Sequence, residues 1–394
     1  TGGSNTLTLT TENNIANADI TASGAIAGVT TLTLANVGGT ATLSADVDVT
    51  TLVVGNTVAN VAFTGNGSSV VNAIAFANDG TLTLGQDGGT QTYNAGLTTT
   101  SVGSTVTLNG TIVTSDDLVS LGAVTLGSAT IIDTNATDST GAILISTITG
   151  GNNALTLSTG DNINANVNMS IISSASSGIT TLTLRDIGGK FFTNGNISVT
   201  TLSVDNTVHD VSFTGGTNAF TNAVTFQNDG TLVLGNSASD TFSFGGGVTE
   251  NTTGTVTLAS AISSSNDAIS FGAVTLASAT TIDTNATSNV ADITIAAITG
   301  GSNNLTLSTG NNIAGADVTA SGAISGLGNL ILADVGGTAT FSNNVAVAAL
   351  TAANTVANIT FTGSTNTFSA APTLANDGTL TFGDATGDSF TFNG

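Results

Sequence analysis

The sequence predicts an all-β protein, a parallel β-helix (β-solenoid) of about 19 coils with almost no helix. Three observations predict it. A unit of about 150 residues recurs along the chain, short alternating apolar/Thr segments recur within each unit, and no stretch carries a sustained 3.6-residue apolar period with caps. An array of β-sandwich repeats is the alternative, but it would place strands every 8 to 12 residues or so.

The long repeat is read from its anchors. Thr1-Gly-Gly-Ser-Asn-Thr-Leu-Thr-Leu9 returns as 149–157 and as 299–307, and Asn78-Asp79-Gly80 returns as Asn228-Asp229-Gly230 and Asn376-Asp377-Gly378. Asn56-Thr57-Val58 likewise returns at Asn206 and Asn354. The boundaries are therefore 1–148, 149–298 and a partial third copy, 299–394, expected to form one continuous solenoid. The second copy carries two extra residues between about Asp161 and Thr181, the mark of a tolerant outer loop.

Within a unit the strands read in order as Thr31-Leu-Thr-Leu34, Thr51-Leu-Val-Val54, Thr81-Leu-Thr-Leu84, Thr105-Val-Thr-Leu108, Ala123-Val-Thr-Leu126 and Ala142-Ile-Leu-Ile145. Each has one apolar face and one Thr-rich face. Corners such as Val37-Gly-Gly39 and Asp87-Gly-Gly89 supply positive backbone angles. The principal strands recur at roughly 18 to 30 residues, about 20 on average, which gives two or three strands per coil, about seven coils per unit and a rod on the order of 90 Å. Leu, Val, Ile and Phe are expected to stack inward as ladders while Thr and Ser face out. Asn56, Asn206 and Asn354 are expected to bond backbone groups at corners. The 16 Phe are spread 2, 8 and 6 over the three copies, so the later coils should hold the bulkier core.

Segments such as Phe271-Gly-Ala-Val-Thr-Leu-Ala-Ser-Ala-Thr-Thr-Ile-Asp-Thr-Asn285 and Leu305-Thr-Leu-Ser-Thr-Gly-Asn-Asn-Ile313 are similar to the β-strand repeats of filamentous-haemagglutinin-like exoproteins and autotransporter passengers, rickettsial surface-layer-type proteins among them. The resemblance lies in rhythm and composition. It implies a right-handed parallel β-helix, exported by a Gram-negative-type bacterium and displayed on or released from its surface.

Composition narrows the function. Lys and Arg number 2 against 25 Asp plus Glu, for a formal net charge of -23, although only 7% of residues are charged. Nucleic acid is excluded as a partner, because phosphate neutralisation needs clustered Lys and Arg. Zero Cys removes disulfides, thiolate metal sites and a Cys nucleophile together. No apolar run reaches the roughly 18 residues of a membrane span, so no membrane insertion is expected, and any export signal is expected outside these residues.

Candidate sites are few. His209 is the only His and its counterparts are Ala59 and Ala357, which leaves a triad or His-based metal site nothing to build with. Arg185 and Lys190 face Ala35 and Thr40 in the first copy and Ala333 and Thr338 in the third, so lyase chemistry has no repeated base. No catalytic residue, cofactor site or enzyme activity is expected. The closest carboxylates, Asp46 with Asp48 and Asp116 with Asp117, are the candidates for calcium, although neither pair recurs and solvated turn residues are the simpler reading. The three Asn-Asp-Gly copies read as tight turns before a strand. Thr-x-Thr pairs at Thr31/Thr33, Thr81/Thr83, Thr181/Thr183 and Thr379/Thr381 invite an ice-binding ladder, but in the sequence the clearest pairs are separated by coils lacking them. Asn-x-Thr triplets such as Asn135-Ala-Thr137 follow from composition alone.

The expected function is a non-enzymatic structural repeat protein of the bacterial exterior: a filament, fibre, sheath or surface-layer component that self-associates end to end through open β-edges. Two basic residues give trypsin little to cut. The alternative is an adhesin stalk or passenger that meets a glycan or host surface, although Tyr93 is the sole Tyr and there is no Trp to stack on a sugar.

Overall fold

The structure, a computed structural model, describes residues 5–12, 14–138, 141–172, 178–288 and 291–394. Residues 1–4, the start of the first repeat anchor, and 173–177, inside the interval of the two-residue insertion, lie outside them. The chain is an all-β parallel β-solenoid of about 18 turns, and the described residues form 42 strands and no helix. It falls into two compact units, 1–199 with 207–209 and 200–206 with 210–394, so the division lies inside the second sequence repeat.

Each coil has three strand segments, and each segment pairs in parallel with its counterpart one coil on. In the first unit, Ala41, Val61, Leu82, Val106, Val124 and Ile148 form one inward ladder. Ile74, Leu97, Val119, Ile143, Val167 and Phe191 form a second. Gln91, Ile112, Ile132, Leu157 and Leu184 form the third. The second unit repeats the plan with Leu232 to Val345, Val224 to Ile359 and Phe242 to Ala352. Because side chains alternate across a strand, the inward positions of the three faces meet in an axial core within each unit. Most of that core is less than 4% exposed.

The coil is longer than the expected 20 residues. Phe242, Ile262, Ile282, Leu307, Leu332 and Ala352 are five steps over 110 residues, or 22 per coil. Three strands and three corners per coil need that length, which lowers the expected 19 coils to about 18. It also corrects the phase of the repeat. At 22 residues per coil, 148 residues make about 6.7 coils, or twenty faces, and not seven coils.

The ladders show this directly in both units. Ile143 and Val167 occupy the face that runs back through Val119 and Leu97 to Ile74, whose strand packs on that of Leu52; Leu52 pairs with Leu32, and Leu32 with Leu7. Leu155, the repeat counterpart of Leu7, pairs instead with Thr130 and Leu182 on a different face. In the second unit Phe226 pairs with Glu250, whereas its counterpart Leu374 pairs with Ala352 on the face of Phe242. Each sequence repeat is thus turned by a third of a coil relative to the one before.

Aromatic residues concentrate in the second unit. Phe244 stacks on Phe220 at 5.1 Å and on Phe242 at 6.2 Å, and meets Phe226 edge-on at 6.3 Å. Tyr93, fully buried in the first unit, donates its hydroxyl to Gln91 Oε1 at 2.9 Å, and Gln91 Nε2 donates to the Phe63 carbonyl at 2.8 Å. Burial raises the Tyr93 hydroxyl well above the ordinary phenolic range.

Thr is not confined to the outside. Thr114, Thr134, Thr159, Thr284 and Thr309 are fully buried. They sit at the ends of inward faces, where a small hydroxyl reaches a corner carbonyl that an alkyl group would leave unpaired. Thr114 donates to the Asp117 carbonyl at 2.6 Å and Thr284 to the Ala291 carbonyl at 2.7 Å.

Candidate functional site

Corners are where polar chemistry gathers, so the site is built from them. Several corner residues hold positive φ, among them the repeat-related pairs Asp116 (78°) with Asn266 (71°) and Asn135 (46°) with Asn285 (47°). Asn and Asp tolerate this conformation best among residues with a side chain. Their side chains then point along the stack.

A single interaction recurs. A corner carboxylate or amide oxygen accepts a backbone N–H from the next coil, usually 21 residues on. Asp19 accepts from Thr40 at 2.7 Å, Asp46 from Gly67 at 2.7 Å, Asn60 from Thr81 at 2.9 Å, Asp210 from Thr231 at 2.7 Å, Asp317 from Thr338 at 2.7 Å and Asn358 from Thr379 at 2.9 Å. Asn60, Asp210 and Asn358 are repeat counterparts. Asp and Asn therefore interchange at one position and do one task, accepting a corner amide of the next coil.

Of the four calcium candidates, Asp46 and Asp116 follow the same rule and Asp48 and Asp117 do not. Asp46 caps Gly67, and Asp48, two residues on, lies in the strand Val47–Val54 with its side chain outward. Asp116 accepts from the amide and hydroxyl of Thr137 and from the Asp138 amide at 2.8 Å. Asp117 offers its backbone carbonyl to Thr114. Among the described residues no group of three or more His, Asp or Glu is placed to hold a metal. A surface cleft of about 710 Å³ gathers Asp133, Asp161 and Asp186 beside Ser158 and Asn162, but Asp133 spends Oδ1 on the Asn135 amide and the Ser158 hydroxyl.

The Thr137 hydroxyl, then the Asp138 amide, hold the Asp116 carboxyl below the usual carboxylate range. A depressed folded-state value stabilises the fold fully above the unfolded value of about 3.9. That contribution is lost as pH falls through the lower folded value. Asn266 makes the same corner bonds, to the Thr287 and Ser288 amides at 2.5 and 2.6 Å. Asp116→Asn therefore keeps the amide bonds of the cap and removes this titration: the stability of the variant is expected to vary less with pH below pH 4 or so than that of the parent, as read from acid unfolding curves.

The remaining candidates are structural in their contacts. Asn78 is fully buried and donates to the Thr81 carbonyl at 2.9 Å, and Asn228 donates to that of Thr231 at 3.0 Å, which fixes the tight turn before each strand. Asn56, Asn206 and Asn354 are exposed, and the corner bonds expected of them are made by the next residue: Thr57 accepts the Asn36 amide at 3.0 Å and Thr207 the Asp186 amide at 2.8 Å. Thr has the shorter reach that this corner requires. Lys190 lies 5.6 Å from the centroid of the Phe192 ring on an outer face, and Arg185 and His209 are exposed.

Fold and corners together define a β-solenoid repeat protein whose polar side chains tie coil to coil. No family model, curated protein or solved structure matches the chain.

Proposed function

We propose that this chain is a non-enzymatic structural repeat protein of a bacterial exterior, a fibre, sheath or surface-layer component of the filamentous-haemagglutinin-like kind. The observation that carries the reading is the ladder of Asp and Asn caps: most of the acidic corner groups with assigned bonds are spent on the backbone of the next coil, which makes a stiff stack rather than a reactive cleft. Bonding of that kind reinforces the coil boundaries it crosses and suits a protein whose task is to be long and resistant. A surface with only two basic residues gives trypsin-like proteases little to cut.

We also propose that it self-associates in series. An uncovered coil edge carries a row of N–H and C=O groups over an apolar ladder, and a further coil of the same geometry is its best complement. The test is surface labelling of intact source cells with antibody to the chain, before and after shaving with proteinase K and with trypsin. Labelling that survives trypsin and disappears with proteinase K is expected. Antigen found only after lysis would overturn the reading.

A further inference from the structure

We propose that the outward column Thr225, Thr249, Ser270, Thr294, Thr319, Thr340, Thr360 and Thr381 in the second unit is an ice-binding face. This goes beyond the structural role and does not depend on it. The eight residues are register partners on eight consecutive coils, with no interruption. The sequence hides this column. Because each repeat is turned by a third of a coil, its members come from different positions of the repeat, and of the Thr-x-Thr pairs that stand out in the sequence only Thr379/Thr381 contributes to it. In the first unit, too, Thr81/Thr83 and Thr105/Thr107 fall on consecutive coils of one face.

Two further observations separate this column from ordinary outward Thr. Many Thr hydroxyls elsewhere are tied within the fold, such as Thr231 to Asp210 at 2.8 Å and Thr379 to Asn358 at 2.8 Å. The eight hydroxyls of the column make no such bond. The carboxylates of the neighbouring column are also turned into the stack: Asp292 accepts the Asp317 amide at 2.9 Å and Asp317 the Thr338 amide at 2.7 Å. Beside the column the face thus presents hydroxyls and methyl groups, with Asp292 and Asp317 each holding one carboxylate oxygen on a backbone amide of the next coil.

The period decides the ligand. Successive coils lie about 4.8 Å apart, too far for hydroxyl to bond hydroxyl at about 2.8 Å, but one water between two hydroxyls at that spacing subtends about 118°, close to tetrahedral. In a tetrahedral water lattice the second-neighbour oxygens are about 4.5 Å apart, so the mismatch is about 0.3 Å per coil and about 2 Å over seven steps, less than half a period. The column can thus hold a file of waters in near-register with ice over about three or four coils at a time, where the drift stays near 1 Å, while the Thr methyl groups order the water between files.

The test is slow freezing of a dilute solution of the purified chain, with the protein in the ice fraction and the shape of the ice crystals as readouts. The parent chain is expected to enter the ice and facet it. Thr294→Lys/Thr319→Lys, which leaves the inward residues untouched, is expected to fall to the level of an excluded protein. Thr281→Lys/Thr306→Lys, on consecutive coils of another face, should behave as the parent. A parent chain excluded from ice overturns the proposal, whatever the variants do. So does equal ice binding by the first variant with an unchanged circular dichroism spectrum, or binding to crystalline cellulose or chitin in place of ice.

Discussion

Replacing Phe244 by Ala is expected to destabilise the second unit by about 3 to 5 kcal/mol, the range for removing a buried aromatic side chain. Phe244 is fully buried and touches three other rings, Phe220, Phe226 and Phe242. Those rings come from two adjacent coils and cannot close over the void, because each is fixed by its own strand pairing. In a stack where each coil contacts mainly its neighbours, the loss is local before it is global. Amide hydrogen exchange is therefore expected to accelerate first in residues 217–271, with the denaturation midpoint of that region falling and the first unit unchanged. Phe192→Ala, on an outer face beside Lys190, is expected to move stability by less than about 1 kcal/mol.

Gly235→Val is expected to be as damaging for a different reason. Gly235 follows an inward strand at φ 85°, and its counterparts Gly85 and Gly383 hold 74° and 78°. A β-branched residue is strained in that conformation by roughly 1 to 3 kcal/mol before any contact is counted. The Cβ would also lie 2.3 Å from the Ala259 carbonyl oxygen of the next coil. That oxygen belongs to backbone held in the stack, so relief requires a shift of the coil. A loss of more than about 3 kcal/mol is expected by denaturant titration. Gly387→Ala, where a Cβ would meet nothing within 4 Å, should be close to neutral.

The fold class was legible in the sequence because alternation in segments such as Leu232-Val-Leu234 survives any arrangement of corners. Coil length and phase were not. The same apolar-Thr-apolar motif stands on all three faces, so spacings counted along the chain mix steps between faces with steps between coils. Only the register, Leu155 on the face of Thr130 rather than on the counterpart face of Leu7, exposes the third-of-a-coil offset. The calcium candidates show a similar limit. Asp46 and Asp116 stand out through their neighbours in sequence, whereas the bonds that place them run to amides 21 residues on. A recurring spacing of 21 between Asp or Asn and Thr, as in Asp19/Thr40, Asn60/Thr81 and Asp210/Thr231, was the signal that could have revealed both the caps and the coil. Buried Thr134 and Thr284 were missed because β-propensity places Thr outside, and a corner carbonyl overrides it.

A distance between two spin labels tests the register of the coils most directly. The chain has no Cys, so Thr225→Cys/Thr360→Cys carries labels only at the chosen sites. These residues are six register steps apart, which at about 4.8 Å per coil predicts a narrow distribution centred near 29 Å. A broad distribution, or one centred beyond about 40 Å as separate sandwich repeats would give, would contradict the three-faced solenoid and everything built on it.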